Sequence, residues 1–304
     1  MAAHAHHPTE NSWPELPLKA WQDTYHTLHM WTQIVGKVQL ALSPRINHWW
    51  EVPLHVNSRG LTTSPIPYGA GVFEVQFDFI HHQLTIYTSW GSTKILALAP
   101  RSVADFYAEF MSALQSLGIS AKIWTTPCEL PNPIPFERDR QHASYDPEYA
   151  HRFWKILFLC DAIFKEFRAK FIGKSSPVHF FWGSFDLAVT RFSGRRAPER
   201  PDADAITREA YSHEVISAGF WPGNDDSRGP AFYAYAAPEP SGFAEQAVQP
   251  KAAYYHPQMH EFLLMYAEVR EAPSPRQTLL SFLQSTYEAG ANLAQWNRKE
   301  LERA

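Results

Sequence analysis

The chain has 304 residues, of which 45% are hydrophobic and 14% aromatic, and 11 of them are Trp. A chain so rich in large apolar side chains can bury enough surface to offset the entropy lost on folding, which excludes disorder. It carries 27 basic and 31 acidic residues, a formal charge of −4, so we expect no general affinity for nucleic acid or anionic membranes. The length corresponds to about two domains of ~150 residues each.

The N-terminal segment lacks the pattern of an export signal. Its first basic residue after the initiator is Lys19, and no apolar core follows a positive segment. No apolar run approaches the ~18 residues that a membrane span needs. Cys128 and Cys160 are far apart and form no Cys-x-x-Cys pair, so we predict neither a disulfide framework nor a structural zinc site. These features predict a cytoplasmic protein.

The first half of the chain alternates helix and strand patterns. Residues 1–17 are polar and interrupted by proline, which predicts a flexible leader. From Leu18 to Leu42 apolar residues recur every three or four positions, as in an amphipathic helix. Ser102 can cap a second helix from Val103 to Leu117, which Gly118 ends. Between the helices, four segments predict an antiparallel meander: 48–63, 73–80, 83–89 and 94–97.

The same order of elements follows in the second half. A Pro-rich linker, residues 128–145, separates the first α+β half (18–127) from the second (146–304). A helix is predicted from Asp146 to Phe171 and a last one from about Pro275 to Glu300. The strand-like segments between them are 178–193, 215–220, 231–236 and 262–270. The second half is longer because of insertions, chiefly at 194–229 and 238–251.

Two similar halves, each with a helix, four strands and a helix, predict an α+β fold with antiparallel sheets packed by helices. Trp50 and Arg59 are nine residues apart, as are Trp182 and Arg191. An internal duplication is one explanation, and chance recurrence of short aromatic patterns is the other. If the halves pack together, the cleft between them is a favoured position for a pocket.

Distinctive short segments occur along the whole chain: WTQIVGK (31–37), NHWW (47–50), RGLTT (59–63), FDLAVTRF (185–192), YSHE (211–214), GFWPG (219–223) and YAYAAPEP (233–240). Through them the chain resembles a family of uncharacterised bacterial proteins, domain-of-unknown-function family 5996, from about Trp13 to Leu301. The resemblance implies a bacterial, cytoplasmic protein. It implies no activity, cofactor or catalytic residue.

Three residues of the second half are candidates for proton transfer. His213 and Glu214 place a base beside an acid in one segment. Glu239 is held in extended backbone between two prolines, which suits a positioned carboxylate. Neighbouring residues on a strand point to opposite faces, so His213 and Glu214 can cooperate only in a loop or turn. A helix cap or a strand-edge hydrogen bond is the structural alternative.

Aromatic residues supply candidate ligand contacts. Trp221 lies in a segment bracketed by Gly and Pro, which favours a rigid apolar wall. Tyr233 and Tyr235 share one strand face, where their hydroxyls could orient a polar ligand group. His48 and Trp50 are the candidates from the first half. Core packing is the alternative role for these rings.

Arginines and histidines complete the candidate set. Arg191 and Arg195 could clamp an anionic group, although no nucleotide-binding motif accompanies them. Arg191 could instead point inward to a buried partner, and Arg195 could be a solvated loop charge. His256 and His260 have the spacing of two metal ligands on a helix, but the next residues resemble a strand and no third ligand is evident. We therefore assign no metal site, and the cofactor stays unknown.

These patterns favour a small-molecule-binding protein, an enzyme of unassigned reaction whose small anionic or aromatic substrate lies between the halves. One alternative is an interaction or scaffolding protein that uses exposed aromatic residues. A metal-dependent hydrolase is the other. The acidic balance disfavours nucleic-acid binding, and a homo-oligomer is left open.

Overall fold

The structure is a computed structural model that describes residues 13–223 and 229–303. These residues form helices and two antiparallel sheets of six strands each, which confirms the α+β class. Six strands replace the four expected in each half. Turns divide the predicted segments 48–63 and 178–193, and two short strands, Ile66–Tyr68 and Tyr254–His256, carry too few residues to show an alternating pattern.

The first half is built around helix α1, Leu18–Leu42, whose bounds are those predicted. The remaining elements are β1 (His55–Val56), β2 (Gly60–Thr62), β3 (Ile66–Tyr68), β4 (Gly71–Asp78), β5 (Gln83–Thr88), β6 (Thr93–Ala97) and α2 (Val103–Ser116). Strand order is β1-β2-β4-β5-β6, and β3 also pairs with β4. Trp31 of α1 stacks on Phe106 of α2 with ring centroids 4.6 Å apart, which joins the helices in the core. His81 and His82 lie in the β4–β5 turn.

The second half contains α3 (Pro147–Ala169), β7 (His179–Phe181), β8 (Asp186–Arg196), α4 (Ala205–Ala210), β9 (His213–Trp221), β10 (Ala231–Ala237), β11 (Tyr254–His256), β12 (Glu261–Met265), α5 (Tyr266–Arg270), α6 (Pro275–Leu293) and α7 (Arg298–Leu301). The sheet order is β11-β12-β10-β9-β8-β7. Asp146 caps α3 by accepting hydrogen bonds from the backbone N–H groups of Glu148 and Tyr149. Helices α3 and α6 cover one face of this sheet.

Two predictions about the ends of elements are wrong. The segment after Met265, expected to continue a strand to Arg270, is helix α5, in which Tyr266 and Val269 are buried one turn apart. The last helix ends at Leu293 instead of continuing to Glu300. Within the expected flexible leader, Trp13 is buried with its ring 5.9 Å from that of Tyr266. Residues 1–12 of that leader lie outside the described part of the chain.

The two halves share one hydrophobic core. Leu54, just before β1, exchanges two backbone hydrogen bonds of 2.9 Å with Phe180 of β7, so the edges of the two sheets meet. The internal duplication stays a hypothesis, because antiparallel meanders also arise independently. None of the helices in residues 13–223 and 229–303 has the length and apolar character needed to cross a membrane.

Candidate ligand-binding cavity

The second sheet has a cavity of about 730 Å³ on the face opposite α3 and α6. Because side chains alternate along a strand, every second residue of four adjacent strands faces it. These floor residues are Asp186, Ala188, Thr190 and Phe192 of β8, Val215, Ser217 and Trp221 of β9, Ala231, Tyr233 and Tyr235 of β10, and Glu261 and Leu263 of β12. A volume of this size suits a small organic molecule.

The walls of the cavity come from both halves of the chain. The linker contributes Cys128 and Glu129, and α4 lies across one side. The first half contributes Leu40, His48, Trp49, Trp50 and Val52. His48 joins two of these walls, since its Nδ1 lies 3.1 Å from the carbonyl oxygen of Glu209 and 3.2 Å from that of Ala210. The cavity therefore lies where the two halves meet.

Helix α1 supports the Cys128 wall from behind. The Gln33 side chain accepts a hydrogen bond from the Cys128 backbone N–H (2.9 Å) and donates one to the Cys128 carbonyl (3.0 Å). His29 Nε2 lies 2.8 Å from the Gly183 carbonyl oxygen. Burial lowers the pKa of His29 to about 4, so this imidazole is neutral and acts as a fixed donor. The wall is thus held by the most deeply buried helix of the first half.

Asp186 is the most buried carboxyl group of the floor. It accepts hydrogen bonds from the Ser184 hydroxyl (2.6 Å) and from the Tyr233 hydroxyl. Both donors are neutral, and burial raises the pKa of Asp186 despite these bonds. The Tyr233 ring reaches Asp186 across β9 at Gly219, where a Cβ atom would overlap the Tyr233 hydroxyl.

Glu261 and Glu129 place two further carboxyl groups on the cavity. Burial, and then the proximity of Asp186, raise the pKa of Glu261 to about 7. The same two causes raise the pKa of Glu129. Neither carboxyl has a hydrogen-bond or ion-pair partner in residues 13–223 and 229–303. Both are therefore free to meet a ligand.

Tyrosine hydroxyls connect the floor to α4. The hydroxyls of Tyr235 and Tyr211 are 2.8 Å apart, and the Tyr235 ring stacks on that of Tyr233. Burial raises the pKa values of Tyr233 and Tyr235 well above the usual range. These phenols stay protonated at neutral pH, so they can donate hydrogen bonds to a ligand or to Asp186.

At the opposite end of the floor, the imidazole of His48 contacts an amine that lies behind it, outside the lining. Lys174 Nζ lies 2.6 Å from His48 Nε2, and over the rings of Trp50 (5.3 Å) and Phe192 (5.0 Å). Burial lowers the pKa values of both His48 and Lys174. Since His48 Nδ1 faces two carbonyl oxygens and Nε2 faces an ammonium, the imidazole is neutral, with its proton on Nδ1.

The structure brings together five of the residues that the sequence indicated as candidates. His48, Trp50, Trp221, Tyr233 and Tyr235 all line the cavity. They come from the first half, from β9 and from β10.

Arg191 was predicted to bind a ligand, and the structure contradicts this. Its side chain lies on the helix-covered face of β8 and is 1% exposed. The guanidinium is 3.5 Å from the Phe167 ring centroid and 4.3 Å from that of Tyr287, and it donates to the Phe167 carbonyl. Arg191 faces away from the cavity because it alternates with Thr190 and Phe192. Its contacts are those of a structural residue.

The other predicted charged residues lie outside the large cavity. Arg195 and Glu214 form an ion pair of 2.7 Å and, with Glu239, border a smaller pocket of about 260 Å³. His213 is directed to His48, with ring centroids 5.7 Å apart, whereas Glu214 is directed to Arg195. These two neighbours therefore do not cooperate on one substrate. Glu239 accepts a hydrogen bond of 2.7 Å from Tyr255.

No metal centre is evident in the part of the chain that the structure describes, where no three His, Cys, Asp or Glu side chains are placed to share an ion. His256 lies in β11 and His260 in the following turn, so the helical spacing considered for them does not occur. His256 and His260 therefore give no support to the alternative of a metal-dependent hydrolase.

The acidic residues of the cavity were missed as candidates. None of the acidic residues that line it was among the candidates predicted from the sequence. One signal in the sequence could have indicated them. Asp186 and Glu261 each begin a strand, and the same face of the sheet carries the small residues Ala188, Gly219 and Ala231, which leave space above it.

A comparison with known families matches residues 13–303 to a family of unknown function, DUF5996. The chain belongs to this family. No curated protein and no solved structure matches it. Membership of DUF5996 names no reaction, so inferences about function depend on the cavity.

Proposed function

We propose that this DUF5996 protein binds a small organic molecule in the large cavity and acts on it as an enzyme by proton transfer. The observation that carries the proposal is the cavity floor itself, on which aromatic rings and carboxyl groups from four strands surround about 730 Å³. Predominantly apolar walls with a few placed polar groups are typical of small-molecule sites.

The rings give the ligand its main contact surface. Trp50, Trp221 and Tyr233 come from a turn before β1, from β9 and from β10, and they line one cavity. Large aromatic side chains bury much apolar area and prefer defined ring geometries, so they favour a ligand with a flat or apolar body.

Glu261 is the candidate for proton transfer. Its pKa of about 7, raised by burial and by Asp186, matches the neutral range in which a general acid or base is most effective. Asp186 is fixed by Ser184 and Tyr233 and serves to hold a ligand group near it. Glu261 and Asp186 replace His213, Glu214 and Glu239 as the proposed catalytic residues.

A reducing compartment is part of the proposal. Cys128 and Cys160 are both free thiols, which agrees with a bacterial cytoplasm. This location would give the cavity access to the metabolite pool.

An interaction protein is the second candidate. Tyr87, Trp90 and Ile95 are exposed around the β5–β6 hairpin of the first sheet, and exposed apolar patches often bind proteins. This candidate predicts a self-association that light scattering would detect, and that charged substitutions at Trp90 and Ile95 would abolish.

Alkylation of Cys128 tests the proposed function. Cys128 lines the cavity, whereas Cys160 is fully buried in α3, so a maleimide should modify Cys128 alone. We expect the small-molecule fraction of a bacterial extract to slow this reaction in the wild type. Ala188→Phe, which places a ring on the floor between Asp186 and Thr190, should remove the effect of the extract. An equal alkylation rate with and without every extract fraction would contradict the proposal.

A further inference from the structure

The described lining of the cavity carries several acidic side chains and no basic side chain to balance them. The carboxyl-bearing residues on its wall are Glu129, Asp186, Asp204 and Glu261. Across the described lining there is no Lys or Arg, and the single imidazole, that of His48, is neutral. An acidic, aromatic enclosure of this kind lacks a positive charge.

Among the described residues, only two of the four carboxyl groups, those of Asp186 and Asp204, accept hydrogen bonds from the chain. Asp204 caps α4, accepting hydrogen bonds from the N–H groups of Ile206 and Thr207. Asp186 is hydrogen-bonded by two hydroxyls, which carry no positive charge. Glu129 and Glu261 face the cavity without a partner among the residues described. Glu261 is half-buried, and a carboxylate withdrawn from water without a counter-charge is costly. Glu129 is more exposed and adds negative charge to the wall. Both groups favour a positive partner from outside the chain.

Basic residues near the cavity are engaged elsewhere. Lys174 contacts His48 at the Phe192 end of β8. Arg200 borders an adjoining pocket, and its guanidinium lies 4.7 Å from the ring centroid of Tyr211. Arg191 is on the other face of the sheet. Among the described residues, none of the three forms an ion pair with a carboxyl group of the cavity.

Aromatic faces complete a site for a cation. The pairing of Leu187 with Phe220 puts Asp186 beside Trp221 on the floor, and Tyr233 reaches the same carboxyl. Indole and phenol faces attract cations through the ring quadrupole, and this attraction increases when water is excluded.

We propose that the cavity recognises an organic cation, a small molecule whose protonated amine lies among Asp186, Glu261, Glu129 and the ring of Trp221. This inference rests on the proposed function and names the class of its ligand. It replaces the anionic substrate expected from Arg191 and Arg195, since neither guanidinium is in the cavity.

A matched set of probes separates charge from shape. Phenethylamine, phenethyl alcohol and phenylacetate carry the same ring with a positive, neutral or negative group. Calorimetric titration at about pH 8, where Glu261 is ionised, should show the amine binding about tenfold or more tightly than the other two, a difference of about 1.4 kcal/mol. Glu261→Gln and Asp186→Asn should each weaken amine binding, and together about 30-fold or more. Glu74→Gln, on the first sheet, should leave it unchanged.

Equal or tighter binding of the alcohol or the carboxylate would overturn the cation assignment while leaving the cavity as a ligand site. Absence of amine binding would also overturn it, and the proposed function would then be decided independently by Cys128 protection with extract. Because the carboxamide variants are nearly isosteric, circular dichroism is expected to show the wild-type fold. Trp221→Leu supplies a second test, since it should weaken the amine more than the alcohol.

Discussion

Tyr233 crosses the cavity floor and donates a hydrogen bond to Asp186 two strands away. The intervening strand carries Gly219 at the crossing point, directly opposite Tyr233 in the register. The absence of a side chain at Gly219 thus fixes where the carboxyl group of Asp186 is held. One glycine on β9 determines a contact between β8 and β10.

Gly219→Ala should disrupt this contact. The added Cβ would overlap the Tyr233 hydroxyl and the Leu187 carbonyl oxygen, so the ring must move and Asp186 loses a donor. Overpacking of this kind lowers the free energy of unfolding by about 1–3 kcal/mol. Urea denaturation measures the change. An unchanged unfolding free energy, together with unchanged amine affinity, would show that Tyr233 does not depend on Gly219.

Glu261→Gln should stabilise the protein at high pH. The folded-state pKa of about 7 lies above the ordinary value of 4.5, so the stabilising contribution of protonated Glu261 is complete below about pH 4.5. It is lost as the pH rises through about 7, when the carboxylate becomes charged in the cavity. The Gln side chain carries no charge, so the variant does not lose stability as the pH rises through this range. At about pH 8 its unfolding free energy should exceed that of the wild type by about 1–3 kcal/mol.

Urea titrations of both proteins from about pH 5 to pH 8 test the sign of this effect. Charged and titratable groups that face Glu261 are common to both proteins, so their contributions largely cancel in the difference: Asp186, Arg200, Tyr211, Tyr235, Glu239 and His260. Glu268→Gln, an exposed change on α5, should produce no pH-dependent difference. If the Glu261→Gln protein is less stable than the wild type at the higher pH, the assignment of Glu261 as a carboxylate withdrawn from water without a partner is wrong.

Arg191→Ala should destabilise the fold and leave ligand binding unchanged. Its guanidinium packs between Phe167 and Tyr287 under the sheet, so truncation leaves a void and unsatisfied contacts. We expect the unfolding free energy to fall by about 2–5 kcal/mol, measured by urea denaturation. Arg195→Ala, at an exposed ion pair, should cost at most about 1 kcal/mol. A large loss of amine affinity in folded Arg191→Ala would restore Arg191 as a binding residue.

Local patterns in the sequence were enough to predict many elements. The three- and four-residue spacing from Leu18 fixes α1, because a helix buries one face by that period alone. Asp146 and Pro147 define the start of α3 in the same local way. The run after Phe262 is apolar at positions compatible with both strand and helix, so its short helix α5 could not be distinguished.

The cavity depends on contacts that no local pattern contains. Asp186 and Glu261 are far apart in sequence and come together only through the order of the strands in the second sheet, and Glu129 reaches the same cavity from the linker that α1 holds. The alternation along β8 showed that Asp186 and Arg191 point to opposite faces. It did not show which face the helices cover. Because α3 and α6 cover the face that carries Arg191, Arg191 lies in the core and Asp186 faces the cavity.

Native mass spectrometry of the gently purified protein tests the ligand site most directly. Wild type and Ala188→Phe would be expressed and purified in parallel, and their masses compared before and after denaturation. We predict that the wild type carries a non-covalent small molecule, released on denaturation, which is basic and absent from Ala188→Phe. The same bound molecule in both proteins, or binding of added phenethylamine with equal affinity to both, would contradict a ligand site in this cavity.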